Sequence, residues 1–424
     1  MSWAFFGVSV AYAVLVVSAL VPVRRDPFAV ISFALGWIPG EAPLQLGLLV
    51  VVSTAALAAN GALEDWPGWV GLAFVALTLA GVVRLAMVAQ GARAVVSRAL
   101  AGATGGPVTV EGFDPDPQWI RWWRVALAIP FRGRGIRCIR NIDYWGDDNY
   151  RHKLDILVRR SPPPVGAGVL VYIHGGAWVS GHKRQQGVPM MHELARRGWV
   201  CVAINYRLSP RGIWPAHIVD CKRAVGWVRE HIAEYGGDPG FIAVSGGSAG
   251  GHLCSLVALT PDEVGWQPGF EHMDTRVDAC VPFYGVYDVT GAPDRSGAYG
   301  QGLADLLARL VMKVSLDDDP HLFALASPDQ RVTTAAPPMF VLHGTNDSLV
   351  PLPVARHFVD QLRSVSRAPV VYAELPGAQH AFDVMASIRC RHTTMGVVRF
   401  LESMRARAAG GVLPSPADEE VGVR

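Results

Sequence analysis

The sequence predicts an α/β chain, a mostly parallel sheet with helices on both faces, preceded by an apolar helical N-terminal part. Three observations carry this. Short, nearly continuous apolar runs recur between residues 153 and 375 with helical stretches between them. Glycine-rich turns follow several of those runs directly. Long uncharged segments are concentrated in residues 1–90.

Half of the 424 residues are hydrophobic and only 17% are charged, a balance that is high for a wholly soluble protein. The formal net charge is +2. With neither zinc-finger spacing nor a basic stripe, nothing argues for a nucleic-acid partner. Six cysteines show no C-x-x-C spacing. Cys201 and Cys280 lie in strand-like runs, and Cys221 and Cys254 on helical ones. They read as buried free thiols, as in a reducing compartment.

In the N-terminal part, residues 2–23 contain no charged side chain, and residues 42–63 and 66–83 repeat the pattern. A helix rising ~1.5 Å per residue needs about 20 apolar residues to cross a ~30 Å hydrocarbon core. Three spans follow, over 3–23, 42–63 and 66–90, within a helical module of residues 1–100. Residues 28–40 end in Pro39-Gly40 and read as a re-entrant or interfacial piece, with fusion into a fourth span as the alternative. A cleaved signal peptide fits poorly, because no basic region precedes the first run and further apolar runs follow. Arg24-Arg25 follow the first span, Glu64-Asp65 the second, and Arg93 and Arg98 the third. The positive-inside rule then places the N-terminus outside and the large C-terminal part in the cytoplasm.

Residues 101–135 read as a linker. From 118 to 140 it mixes Trp119, Trp122 and Trp123 with Arg121, Arg124, Arg132, Arg134, Arg137 and Arg140. Such a mixture suits an interfacial helix or a packing linker. The α/β part covers residues 136–407, and the Pro/Gly- and charge-rich residues 408–424 read as a disordered tail.

Within the α/β part, a short strand is expected at 153–159 and buried-type strands at 168–173, 199–206, 241–245, 279–284, 339–342 and 370–375. A helix is expected over 218–235. Alternation of this kind makes a parallel sheet covered on both faces. Residues 289–336 carry a helical stretch, 302–314, and the acidic run Asp317-Asp318-Asp319. They read as a cap insertion.

Four motifs then carry chemistry. Ser245-Gly246-Gly247-Ser248-Ala249-Gly250-Gly251 joins an apolar run to a helical pattern. A small-residue G-x-S-x-G turn between strand and helix holds a serine hydroxyl exposed on a strained bend. The run GVLVYI leads into His174-Gly175-Gly176-Ala177-Trp178, where glycines leave backbone N–H groups free to face an anion. A third apolar run leads into His343-Gly344-Thr345-Asn346-Asp347, and a fourth into Pro376-Gly377-Ala378-Gln379-His380. The order Ser248, Asp347, His380 is the serine–acid–histidine order of strand-ordered hydrolases. In that arrangement His380 takes the serine proton, Asp347 holds the imidazole, and Ser248 carries an acyl group. Asp288 is a rival acid and His392 a rival base. His174 and His343 read as supporting residues that satisfy buried carbonyls.

Residues from about 138 to 407 resemble an α/β-hydrolase of the hormone-sensitive-lipase-like carboxylesterase group. The resemblance rests on His174-Gly175-Gly176, Tyr206-Arg207-Leu208-Ser209-Pro210, the stretch from Gly246 to Gly251, Asp347 and His380. With the apolar helices added, the chain resembles the membrane-associated carboxylesterases of mycobacteria and related actinobacteria. The resemblance implies an oxyanion hole from Gly175 or Gly176, Ala177 and Ala249. It also implies hydrolysis of short- to medium-chain or lipid-derived esters, with no metal or organic cofactor. Two departures stand out: Gly247 replaces the group's usual acid before the nucleophile, and Ala177 replaces a third glycine. Amide hydrolysis, as in an arylformamidase or peptidase, or acyl transfer would use the same three residues. A non-catalytic membrane scaffold would be expected to lack one of them.

Overall fold

The computed structural model describes residues 1–23, 28–104, 135–162, 164–291 and 302–410. Eight strands form one sheet: β1 (Ile136–Asp143), β2 (Lys153–Arg159), β3 (Ala167–Ile173), β4 (Val200–Ile204), β5 (Gly237–Gly247), β6 (Ala279–Phe283), β7 (Met339–Gly344) and β8 (Val370–Leu375). Their order is β1-β2-β4-β3-β5-β6-β7-β8. The strands from β4 to β8 in that order are parallel, while β1 and β2 form an antiparallel edge.

The side chains of β3 explain why its run is apolar throughout. Val169, Val171 and Ile173 enter one core layer, while Leu170 and Tyr172 enter the layer on the other face. Helices α5 (Val188–Arg196), α6 (Ala216–His231), α7 (Ala249–Leu259), α8 (Pro320–Leu325), α9 (Leu352–Val365) and α10 (Ile388–Ala408) follow in the chain. In α9 the buried residues Val354, Ala355, Phe358, Val359 and Leu362 keep the 3–4 residue spacing of a single apolar face.

Two departures from the sequence reading concern boundaries. The Trp- and Arg-rich stretch lies outside the described residues up to 134, and its end is strand. Arg137 and Arg140 belong to β1, paired with β2, because an exposed edge strand tolerates charged side chains. In the expected cap, residues 292–301 lie outside the described residues. Leu307, Val311 and Met312 pack into the core layer that holds Trp178, Trp214 and Phe323. The acidic run serves local turns, with Asp319 accepting from the Leu322 amide at 2.9 Å to cap α8.

Four helices precede the sheet: α1 (Ser2–Leu20), α2 (Phe28–Glu41), α3 (Pro43–Ala59) and α4 (Trp66–Thr104). Helices α1 and α4 are long and apolar enough to cross a membrane, while α2 and α3 meet that measure only as a pair bent by 87°. Gly71 lies against Phe5, and Gly81 against Val16, so α1 and α4 run parallel. Gly47 of α3 lies against Val82, next to the Gly81–Val16 contact, while Tyr12 of α1 donates to Ser53 Oγ at 3.2 Å, so α3 is antiparallel to both.

Helix α4 does not stop where its apolar run ends near residue 90. Ala92, Val96 and Leu100 enter the core layer of the sheet with Phe340, Val397 and Phe400. A Cβ at Gly396 of α10 would lie 2.2 Å from Val96 Cγ1, so only glycine lets the two helices approach this closely. The last turns of α4 are therefore a packing strut, which a hydropathy window does not register.

The helices are tied to the α/β part by a buried ion pair between Glu41 at the end of α2 and Arg389 of α10, both fully buried. Ser387 donates to the same carboxylate at 2.6 Å. Removing one partner leaves a buried charge without its counterpart, at a cost of about 3–5 kcal/mol. Arg389→Ala should therefore lower the thermal stability of the detergent-purified chain sharply. Adding Glu41→Ala should recover part of the loss, as a double-mutant cycle of melting temperatures will show.

Candidate active site

Strand β5 turns into α7 through Ser248, whose φ of 57° and ψ of −122° lie outside the regions open to most residues. Such a conformation costs about 1–3 kcal/mol and persists only where the surroundings impose it. Here the Ser248 amide donates to the Phe283 carbonyl at 3.0 Å, tying the bend to β6. A Cβ at Gly250 would lie 2.1 Å from the Ile173 carbonyl oxygen, so the bend packs directly on the end of β3.

Asp347 follows β7 and His380 follows β8, and the structure brings them together. His380 Nδ1 lies 2.8 Å from Asp347 Oδ2. The other Asp347 oxygen accepts from the Leu349 and Val350 amides at 2.9 and 2.8 Å. Burial would raise the Asp347 pKa, but the charge of His380 and its hydrogen bond hold it below the ordinary value. The two loops are also joined through Gln379, whose Oε1 accepts from the amides of Ser348 at 2.8 Å and His380 at 2.9 Å.

The HGG stretch after β3 lies beside the bend, since a Cβ at Gly175 would come 3.1 Å from Ser248 Cβ. Gly176, Ala177 and Trp178 have φ values of 123°, 50° and 60°. The Gly175 amide, one of the expected donors, is instead used by Gln186 Oε1 at 2.7 Å. The amides of Gly176, Ala177 and Ala249 donate to no other group among the described residues. Ala249 begins α7, where the helix terminus favours negative charge.

The supporting histidines behave as their sequence contexts suggest. His174 Nδ1 lies 2.8 Å from the Gly175 carbonyl, and burial pushes its pKa down to about 4. His343 Nε2 lies 2.9 Å from the Val350 carbonyl. The rivals are engaged elsewhere. Asp288 accepts from the Thr290 amide and hydroxyl at 2.8 and 2.5 Å. His392 pairs with Gln90 at 2.9 Å.

Comparison with known proteins shows the family. A family model described as BD-FAE matches residues 154–362. The chain is 44% identical to the probable carboxylic ester hydrolase LipM of Mycobacterium tuberculosis, over 97% of this chain and 95% of LipM. The chain belongs to the hormone-sensitive-lipase-like carboxylic ester hydrolases. The esterase LipQ of the same organism is 46% identical over 63% of this chain and 62% of its own length. Among solved structures, a butyrate-bound esterase of Thermogutta terrifontis matches with a TM-score of 0.50 and 25% identity, covering 67% of this chain and 96% of that one.

In this esterase the glycine before Ser248 has a spatial reason. A Cβ at Gly247 would lie 2.6 Å from the hydroxyl of Tyr284, which occupies the space an acid side chain would need. Tyr284 also sets its ring 4.5 Å from that of His380 and donates its hydroxyl to Asp383. No motif marked Tyr284, Asp383 or Gln186, and the fourth motif held Gln379 without a role, because their roles arise from tertiary contacts.

The N-terminal helices reach the same loops. Trp37 Nε1 donates to the Ala381 carbonyl at 3.0 Å, and Phe33 stands edge-on to His380 at 6.2 Å. Ser348 donates to Ala29, and Asn346 to Ala19, at 3.0 and 3.1 Å. The free cysteines are buried except Cys138 on β1, as expected for the four singled out.

Two outcomes follow for the esterase. Gly247→Asp should lower kcat/KM in an ester assay by roughly five- to a hundredfold, the equivalent of the about 1–3 kcal/mol that overpacking costs at the bend. The depressed Asp347 carboxyl contributes stability that is present above its unfolded pKa of about 3.9 and lost as pH falls below it. The difference in melting temperature between the wild type and Asp347→Asn should shrink as pH is lowered from 7 toward 3.

Proposed function

We propose that the chain is a membrane-anchored serine carboxylesterase acting on short- to medium-chain acyl esters, including lipid-derived ones. The observation that carries this reading is the 2.8 Å contact between Asp347 and His380 at the strand ends beside the strained Ser248 bend. Ser248 attacks the ester carbonyl while His380 takes its proton. Asp347 stabilises the imidazolium, and the alcohol leaves with that proton. Water then attacks the acyl-enzyme by the reverse proton route. The amides of Gly176, Ala177 and Ala249 face the developing oxyanion, each donor supporting about 2.7–4 kcal/mol of transition-state stabilisation.

The butyrate held by the Thermogutta terrifontis esterase supports a short acyl chain. Membrane anchoring draws support from α1 and α4 as spans, with the antiparallel α3 as the third and α2 lying at the end nearest the α/β part. Trp3, Trp66 and Trp69 are exposed at the opposite end, where tryptophan favours the membrane–water boundary. Arg93 and Arg98 lie on the segment of α4 that packs on the α/β part, which supports a cytoplasmic site under the positive-inside rule.

Ser248→Ala should abolish fluorophosphonate labelling and p-nitrophenyl butyrate turnover while the melting temperature stays near that of the wild type. Undiminished labelling would remove Ser248 as nucleophile. A C-terminal reporter active only outside the cytoplasm would reverse the orientation.

A further inference from the structure

Gly247 stands beside Tyr284, and the turn after His380 brings a buried carboxyl to the same tyrosine. Asp383 lies three residues beyond His380 and is almost wholly buried. Its Oδ1 accepts from Tyr284, while its Oδ2 has no partner among the described residues. Tyr284 is held at a φ of 37°, at the end of β6, with its ring 4.5 Å from the His380 ring at 56°. One tyrosine thus fills the space beside Gly247, touches the imidazole and ends on a buried carboxyl.

We infer that Asp383 is a positioning residue for the base: through Tyr284 it fixes the His380 ring, and its charge favours the imidazolium. This inference rests on the reading of His380 as the base. A bulky acid at 247 and Tyr284 in its present place exclude each other on space. The chain has the tyrosine, and with it the buried carboxyl of Asp383 that the tyrosine reaches.

The surroundings leave this role to Asp383. On the β7 side, Asp347 is already occupied by His380 and two amides, and His343 by the Val350 carbonyl. Glu41 of α2 is paired with Arg389 of α10. Cys390 donates to the Asp383 carbonyl at 3.2 Å, and Tyr172 of β3 is a buried neutral phenol. Burial pushes the Asp383 pKa up to about 6, with the Tyr284 hydroxyl and the His380 charge pulling partly against it. The carboxyl is ionised above about pH 6, where it assists the base, and gains a proton below it.

The test is the pH profile of kcat/KM for p-nitrophenyl butyrate, using the full chain in detergent, for wild type, Asp383→Asn, Tyr284→Phe and the double variant. Loss of turnover in His380→Asn first establishes the base. If that variant stays active, the reading of the site falls and takes this inference with it. With the base established, Asp383→Asn should move the acidic limb down by about half a pH unit or more, because a negative neighbour has been lost. Tyr284→Phe should move it the same way, since Asp383 without its donor keeps its proton to higher pH. The double variant should move it no further than Asp383→Asn alone. Variants that lower the melting temperature but leave the limb in place would overturn the inference and leave the triad standing. If Asp383→Asn does not fold, Tyr284→Phe alone decides between the same two results.

Discussion

The bend at Ser248 is packed so tightly that its neighbours are chosen by the space it leaves. The end of β3 lies against Gly250, the phenol of Tyr284 against Gly247, and the β6 carbonyl on the Ser248 amide. A residue at positive φ holds that conformation only when contacts on every side make relaxation costlier than the strain. The same crowding puts the first turn of α7 next to the HGG stretch. Free amides from two separate segments therefore surround the serine.

A second constraint comes from outside the sheet. The loops carrying Asp347 and His380 are joined by Gln379 and gripped by α1 and α2 through Asn346, Ser348 and Ala381. The ion pair of Glu41 with Arg389 anchors that grip in the first turn of α10. The N-terminal helices are thus part of the scaffold that fixes the acid and the histidine. An apolar helix, α2, sets Phe33 edge-on to the His380 ring.

The departure at Gly247 shows how one position is decided by another far away in sequence. The tyrosine that excludes a larger residue there directly follows β6, and the carboxyl that tyrosine reaches belongs to the loop after β8. The three positions form one spatial unit in which changing any one alters what the others tolerate.

Much of the architecture could be read directly from residue patterns. Apolar runs buried on both faces announce a parallel sheet, and motifs at strand exits announce Ser248, Asp347 and His380, because strand burial and turn chemistry are local in sequence. The ends of α4 and β1 were decided by tertiary contact: Val96 needs Gly396 opposite it, and Arg137 and Arg140 sit on an edge strand. Which amides are free was also a tertiary matter, since only the fold brings Gln186 onto the Gly175 amide. Local pattern determined the elements and placed Ser248, Asp347 and His380 at strand exits. Packing between distant segments decided their partners, because a hydrogen bond or a van der Waals limit depends on distances in space that residue order does not encode.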